Sequence, residues 1–392
     1  MKQLTAILLC VSLMLALLAG CAGGAPAATT ASAMSTAEGT EPDWLGTTAA
    51  DTITVTDHAG HEVTLPRRIE RIAITGIFPM ASVLTVFFDS ASRLVAIPEA
   101  SRVAAQNGLL GQLYPELLDV RTDCVSGSGV NTEELLKLEP DVVFYSASDS
   151  AVGDALRAAG FAAVAISVNQ WSYDCIETLS HWIELLDTMF PDVESHAAAV
   201  RAWSEEARAF VQERVQGLSD EERARVFVMF QYSETNLLTS GQNFFGQWWC
   251  DSVGAVNVAR ELAKDNAVPV NMEQVYAWDP EIILVTNFTQ AQPEDILGST
   301  VGEDDWSGIR AVQDGRVYKT PLGLYRSYTP GADVPVTLYW LAKTVYPALF
   351  EDLDVTAKAQ EYYREVFGLE LTAEQIESIF APASDAGKVI LG

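Results

Sequence analysis

Apolar positions in this chain fall into short runs separated by amphipathic stretches, and one such unit occurs twice. Val130 to Phe144 reads V-N-T-E-E-L-L-K-L-E-P-D-V-V-F, and 140 positions later Val270 to Leu284 reads V-N-M-E-Q-V-Y-A-W-D-P-E-I-I-L. Val, Asn, Glu and Pro recur in register, with an acid on both sides of each Pro. Asn131 and Asn271 are suited to cap a helix, with Glu134 and Gln274 placed to complete a capping box. Each short helix should end at Glu139 or Asp279, because a residue before proline is biased out of helical geometry. The β-branched runs Asp141–Tyr145 and Ile282–Thr286 then predict buried parallel strands. Two copies of helix, proline and strand predict two similar α/β lobes, since a solenoid needs three or more shorter units.

The remaining pattern fits that frame. Thr52–Thr56 and Glu62–Leu65 alternate around Asp57-His58-Ala59-Gly60 and predict a hairpin. Buried strands follow at Arg71–Thr75, Leu94–Ile97 and Ala163–Val168, with helices between them, as in a largely parallel sheet. Such sheets bind ligands beyond the carboxyl ends of their strands, here Gly76–Pro79, Tyr145–Ser148 and Asn169–Tyr173. Between the two repeats, Asp192 to Gln216 keeps apolar residues at three-and-four spacing. This predicts one amphipathic helix of about 24 residues, roughly 36 Å long, that links the lobes and resists opening and closing. The second lobe begins with a strand at Val226–Phe230. Gly241 to Asn257 follows, with four aromatics near a helix start. Closing helices are predicted at about Val334–Phe350 and Thr356–Phe367, with a capping box at Thr372 to Gln375. The expected division is 1–21 signal segment, 22–50 flexible tether, 51–190 first lobe, 191–217 linking helix and 218–392 second lobe.

Composition narrows the setting. A formal charge of −29 over 392 residues makes nucleic acid a poor partner. The first 21 residues carry one Lys, an apolar stretch at Leu4–Leu18 and small residues before Cys21, the mark of an exported chain. Leu18-Ala19-Gly20-Cys21 looks like a bacterial lipobox, which implies a diacylglycerol thioether on Cys21. A plain secretory peptide with an incidental cysteine is the alternative. Ala22–Ala50 is poor in groups to bury and suits a tether. Cys124, Cys175 and Cys250 lack zinc-site spacing, and either one disulfide, with Cys124–Cys175 favoured, or buried free thiols would account for them.

Taken together these phrases resemble the class III substrate-binding proteins of ABC importers, the group that handles iron–siderophore complexes, haem and cobalamin. The matching segments are I-T-V-T-D-H-A-G-H-E-V-T-L-P from Ile53, both repeats, W-S-G-I-R-A-V-Q-D-G-R-V-Y from Trp306 and Y-W-L-A-K-T-V-Y-P-A-L-F from Tyr339. The resemblance implies two Rossmann-like α/β lobes joined by one long helix. It also implies that Glu133 and Glu273 dock arginines of a permease dimer, with Glu134 as a neighbouring candidate. Without it, both acids would simply favour their helix dipoles. The implied function is a lipid-anchored, monomeric, extracytoplasmic receptor that hands a chelated iron to an importer and carries no cofactor.

Strand-end loops should line the cleft. From the first lobe they offer Phe78, Tyr145, Trp171 and Tyr173. From the second they offer Tyr232, Phe244, Phe245, Trp248, Asn287, Tyr325, Arg326 and Tyr328. Aromatics suit a ring-rich ligand, and a buried arginine suits an anion. Leu324-Tyr325-Arg326-Ser327-Tyr328 stands out, because it lies between Pro321 and Pro330 without packing periodicity. A surface salt bridge is the other reading of Arg326. His58, His61, His181 and His196 lie away from the strand ends, so bare metal is not the expected cargo. Cobalamin, haem and an oxyanion such as molybdate remain open as ligands. Nucleotide-binding and hydrolase motifs are absent. A paired-carboxylate hydrolase or a scaffold lipoprotein on the same fold stays as the competing class.

Overall fold

Two separate sheets organise the chain. The computed structural model describes residues 51–126 and 129–388, all within one compact unit. The predicted signal segment, Cys21 and the tether lie outside them. In the first sheet the strands Leu94–Ala96, Ile72–Ile74, Val142–Ser146 and Ala163–Ile166 lie side by side in that order, all parallel. Ile72–Ile74 and Ala163–Ile166 are buried at every position, as an uninterrupted apolar run between two helix layers requires. The Thr52–Thr56 and Glu62–Pro66 hairpin is tied to the sheet edge by Asp57. Its carboxylate accepts the Ala59, His61 and Ala165 amides at 2.9, 2.8 and 2.9 Å.

The second sheet is mixed. Arg225–Ser233, Ile282–Val285 and Val317–Lys319 run parallel. Asn236–Ser240 and Ala267–Pro269 extend the sheet antiparallel beyond Arg225–Ser233. This departs from the purely parallel pattern of the first lobe. The hairpin turns at Glu234-Thr235, which carries none of the Gly or Asn-Gly chemistry that marks such turns in sequence.

The two repeats match in their hydrogen bonds as well as their residues. Asn131 and Asn271 side chains accept the Glu134 and Gln274 amides at 3.2 and 3.0 Å. Glu139 and Asp279 both turn through left-handed geometry, at φ 44° and 40°. In each lobe an arginine at the start of the neighbouring strand caps the unit: Arg71 Nε donates to the Leu138 carbonyl at 2.8 Å, and Arg225 Nη2 to the Trp278 carbonyl at 2.6 Å. The Arg71 and Arg225 amides donate to Asp141 and Glu281. Two elements differ from expectation: the first helix, Thr132–Leu136, stops before Glu139, and its capping box stays open. Gln274 returns a bond to the Asn271 amide and completes the box, whereas the Glu134 carboxylate is drawn to Arg121 and Lys137, which the second lobe lacks.

The linking helix runs Ala197–Val215, 19 residues rather than the predicted span, or about 28 Å. Its start is delayed because Ser195 Oγ accepts the Ala197 amide and the His196 ring is bound to the Val366 carbonyl at 2.8 Å, outside the helix. Its apolar stripe lies against the closing helices Val334–Val345 and Val355–Phe367, with Trp203 edge-on to Tyr362 and Phe210 edge-on to Tyr339. Cys124, Cys175 and Cys250 are buried free thiols, so the disulfide alternative is not formed. No helix among the described residues is long and apolar enough to cross a membrane.

Replacing Asn271 by Ala removes both the cap and the box. It should cost about 1 kcal/mol, read as a lower urea midpoint at unchanged slope.

Candidate functional site

The carboxyl ends of the second sheet converge on one loop. After Val317–Lys319 the chain turns at Pro321 and runs to Asp333, whose buried carboxylate shapes it. Asp333 Oδ2 accepts the Leu324 and Tyr325 amides at 2.9 and 3.3 Å, and Oδ1 accepts the Tyr363 hydroxyl. Gly323 has φ +60°, and a Cβ there would lie 2.5 Å from the Asp333 carboxyl, so the position requires glycine. Burial pushes the Asp333 carboxyl up to about 6, against the Tyr363 hydroxyl and the two amides, which favour its charged form.

This loop delivers Arg326 to the interior. Arg326 is 1% exposed and makes no ion pair among the described residues, so it does not form the surface salt bridge that was the other reading. Its Nη2 donates to the Lys388 carbonyl at 3.0 Å, its guanidinium lies 4.9 Å over the Phe288 ring, and its Nε has no hydrogen-bond partner. The Tyr325 ring lies 5.7 Å from the same guanidinium, and its hydroxyl is also buried without a partner. Ser327 Oγ and Asn287 Oδ1, elsewhere on these strand-end loops, are likewise unmatched among the described residues. Burial raises the Tyr325 phenol, while the adjacent guanidinium charge opposes that shift without forming a hydrogen bond of ordinary geometry. Asn287 Nδ2 anchors the loop by donating to the Thr320 and Pro321 carbonyls at 2.7 and 3.0 Å. Lys319 is buried nearby, with Nζ donating to the Thr289 and Ala291 carbonyls at 2.8 and 2.6 Å. Burial pulls its pKa down to about 7; Asp295 opposes the shift and Arg326 adds to it. A guanidinium and an ammonium, desolvated beside uncommitted polar groups, are chemically suited to an anion.

The C-terminal turn Ser384–Gly387 closes one side of this cluster. Ser384 Oγ donates to the Gln290 carbonyl at 2.7 Å, and a Cβ on Gly387 would lie 1.8 Å from the Thr289 oxygen. The same region touches the first lobe, where a Cβ on Gly108 would meet Leu322 at 2.7 Å.

The aromatics divide. Tyr173 from the first lobe meets Phe244 and Phe245 of the second at 5.8 and 5.1 Å. Tyr328 packs on both, and its carbonyl accepts the Trp249 indole N–H at 2.8 Å. Tyr173, Phe244 and Trp248 line a cavity of about 720 Å³ with Asp251 and Arg260. Tyr232 and Phe288 line another of about 600 Å³ with Thr289, Asp295 and Ser384. The structure therefore brings Asn287, Tyr325, Arg326 and Tyr328 together, and gathers Tyr173, Phe244, Phe245 and Trp248 beside them. Phe78, Tyr145 and Trp171 are not part of these two groups. Phe78 is 41% exposed. Tyr145 is a core strand residue whose hydroxyl accepts from Arg157 at 2.9 Å. Trp171 stacks on His181 at 4.3 Å and stands edge-on to His58, whose pKa burial lowers to about 4, with His181 adding to the shift.

Lys319 and Phe288 were missed by the sequence reading. Both sit at strand ends, Lys319 closing a three-residue strand and Phe288 three positions beyond another. Among the described residues no group of three or more His, Cys, Asp or Glu is placed to hold a metal ion. On the outer surface Glu133 and Glu273 are exposed and make no ion pair among the described residues.

Two α/β lobes on one helix, with a buried guanidinium and ammonium at the strand ends, make a bilobal fold whose polar interior is suited to holding a small ligand. The periplasmic binding protein family model matches residues 113–322, and the chain belongs to that family, whose members work outside the cytoplasm with ABC importers. It is 25% identical over 340 residues to the molybdate-binding protein MolA of Haemophilus influenzae, covering 80% of this chain and 90% of that one. Among solved structures, a periplasmic solute binding protein from Veillonella parvula superposes with a TM-score of 0.74 at 28% identity, covering 84% and 97% of the two chains. The nickel–histidine complex of Helicobacter pylori CeuE shares the fold, with a TM-score of 0.65 at 21% identity over 84% and 99%.

The raised Asp333 value has a definite consequence for stability. Between about pH 4 and 6 the folded chain keeps a proton that an unfolded aspartate releases, so the contribution of Asp333 is full at low pH and is lost as pH rises through about 6. Wild type should lose ground to Asp333→Asn in urea midpoints as pH is raised from about 4 to 7. A gap that stays flat would show that burial does not penalise this carboxylate.

Proposed function

We propose that this chain is the lipid-anchored receptor of an ABC importer and that its cargo is a small oxyanion bound at Arg326. The observation that carries this reading is the fully buried guanidinium, whose Nε lacks a partner near the equally unmatched Tyr325 hydroxyl. Each is a donor that a compact anion's oxygens would satisfy, and leaving such groups unmatched costs about 1–3 kcal/mol apiece. The Lys388 carbonyl at Arg326 Nη2 occupies a place that a ligand oxygen would take over. The named relative from Haemophilus influenzae, a molybdate-binding protein, supports the same class of ligand.

The siderophore expectation rested on aromatic residues free to meet a ring-rich chelate. In the structure Phe230, Phe244, Phe245, Phe288 and Tyr328 pack largely on one another, with Phe230 stacked on Phe288 at 5.0 Å. That arrangement favours the smaller ligand. Anchorage through Cys21 and docking through Glu133 and Glu273 complete the proposed receptor, with two similar lobes suited to a two-fold permease.

Molybdate and tungstate should raise the melting temperature of the purified chain, and Arg326→Ala should weaken molybdate binding more than tenfold by calorimetry. A shift with ferric catecholate, haem or cobalamin and none with either oxyanion would reverse the ligand assignment.

Because the folded pKa of Lys319 lies near 7, its ammonium is only partly protonated at neutral pH. An anion favours the protonated form, so binding should take up protons and affinity should climb as pH falls from about 8 to 6. Lys319→Met should flatten this slope, and a slope unchanged by that substitution would place the lysine outside the site.

A further inference from the structure

Large apolar side chains are left exposed at few places in the described residues, and two of those places are equivalent. Leu136 is 50% exposed and Tyr276 43% exposed. They stand 140 positions apart, at the same point of the two repeats. Each follows its lobe's exposed glutamate, Glu133 or Glu273, by three residues, which places acid and apolar group as neighbours on one helical surface. Core packing does not explain the pair, because the residues just before them, Leu135 and Val275, are the ones each helix buries.

Both surfaces are held rigidly. The asparagine caps, the left-handed exits at Glu139 and Asp279 and the arginines on the Leu138 and Trp278 carbonyls fix the two helices in the same way. Tyr276 is steadied further, since its hydroxyl donates to the Asp305 carbonyl and its ring lies beside Gly308. Glu134, by contrast, is spent on Arg121 and Lys137, which leaves Glu133 as the acid of that helix with no ion pair among the described residues.

We infer that Leu136 and Tyr276 are paired apolar anchors of a two-point docking surface, each entering an apolar depression beside a basic side chain on one half of a two-fold membrane permease. The inference rests on the reading that Glu133 and Glu273 face that permease. Its physical basis is that an ion pair at a wet rim is weak, whereas one from which neighbouring apolar groups exclude water is stronger. Leu and Tyr differ in shape, so a permease built from two like halves must offer depressions that accept either. The acids then supply orientation and a salt-sensitive approach, and the apolar pair supplies contact that salt does not screen.

The test uses the full chain and proteoliposomes holding its ABC importer, with co-sedimentation at low and high salt as the readout, so no ligand need be known. Leu136→Ser with Tyr276→Ser should weaken association at least tenfold at both salt concentrations, with unchanged melting temperature. Glu133→Ala with Glu273→Ala should weaken it chiefly at low salt. The exchange Leu136→Tyr with Tyr276→Leu should bind as wild type does. Wild-type binding by the double serine variant, alongside loss in the double alanine variant, would overturn the apolar anchors and leave acidic docking standing. Wild-type binding by both would overturn the docking face altogether.

Discussion

A buried carboxylate sets the geometry of the candidate site. Asp333 accepts two consecutive amides, from Leu324 and Tyr325, and the hydroxyl of Tyr363. Those bonds bend the chain so that the next residue, Arg326, points inward at φ 29°, a geometry that few non-glycine residues adopt. Burying a carboxylate is costly unless its oxygens are filled, and here three donors fill them. The same contact joins distant parts of the chain, because Tyr362 and Tyr363 come from a closing helix that also lies against the linking helix. Loop, closing helix and linking helix thus share one polar pin, and the position of Arg326 depends on it.

The duplication explains why so much of the architecture was legible. A capped helix, a proline and a buried strand demand particular residue types at fixed spacing, so the repeat carried its own structural meaning. The structure adds that Arg71 and Arg225, outside the repeated phrase, serve both copies alike. What differs between the lobes was harder to see. The antiparallel addition at Asn236–Ser240 hangs on an unmarked turn, and the late start of the linking helix is fixed by a bond from His196 to Val366, 170 residues away.

The candidate site was legible in part, for a physical reason. Loop residues without packing periodicity, such as Tyr325 and Arg326, stand out because no core pattern accounts for them. Tyr145 belongs to a strand end by sequence position, yet the alternation of the strand turns it into the core, where Gly153 leaves room for its ring. Lys319 escaped notice because its partners are the backbone carbonyls of Thr289 and Ala291, and backbone ligands leave no trace in residue identity. The contact between Arg326 and the Lys388 carbonyl is hidden for the same reason, across 62 positions.

That last contact bears on how the proposed receptor would admit a ligand. A guanidinium offers five N–H donors, and a backbone carbonyl satisfies few of them. On the proposed reading, an oxyanion brings more acceptor oxygens and a full negative charge to the same nitrogens, so it outcompetes a neutral carbonyl at a buried cation. The segment that must yield is short: the Ser384–Gly387 turn, held by Ser384 on the Gln290 carbonyl and by the close approach of Gly387 to Thr289. Displacing such a turn leaves intact the packing of Trp203 and Phe210, on the linking helix, against Tyr362 and Tyr339 of the closing helices. On the proposed reading, local release at the Ser384–Gly387 turn would free the Arg326 guanidinium without any change in the linking helix.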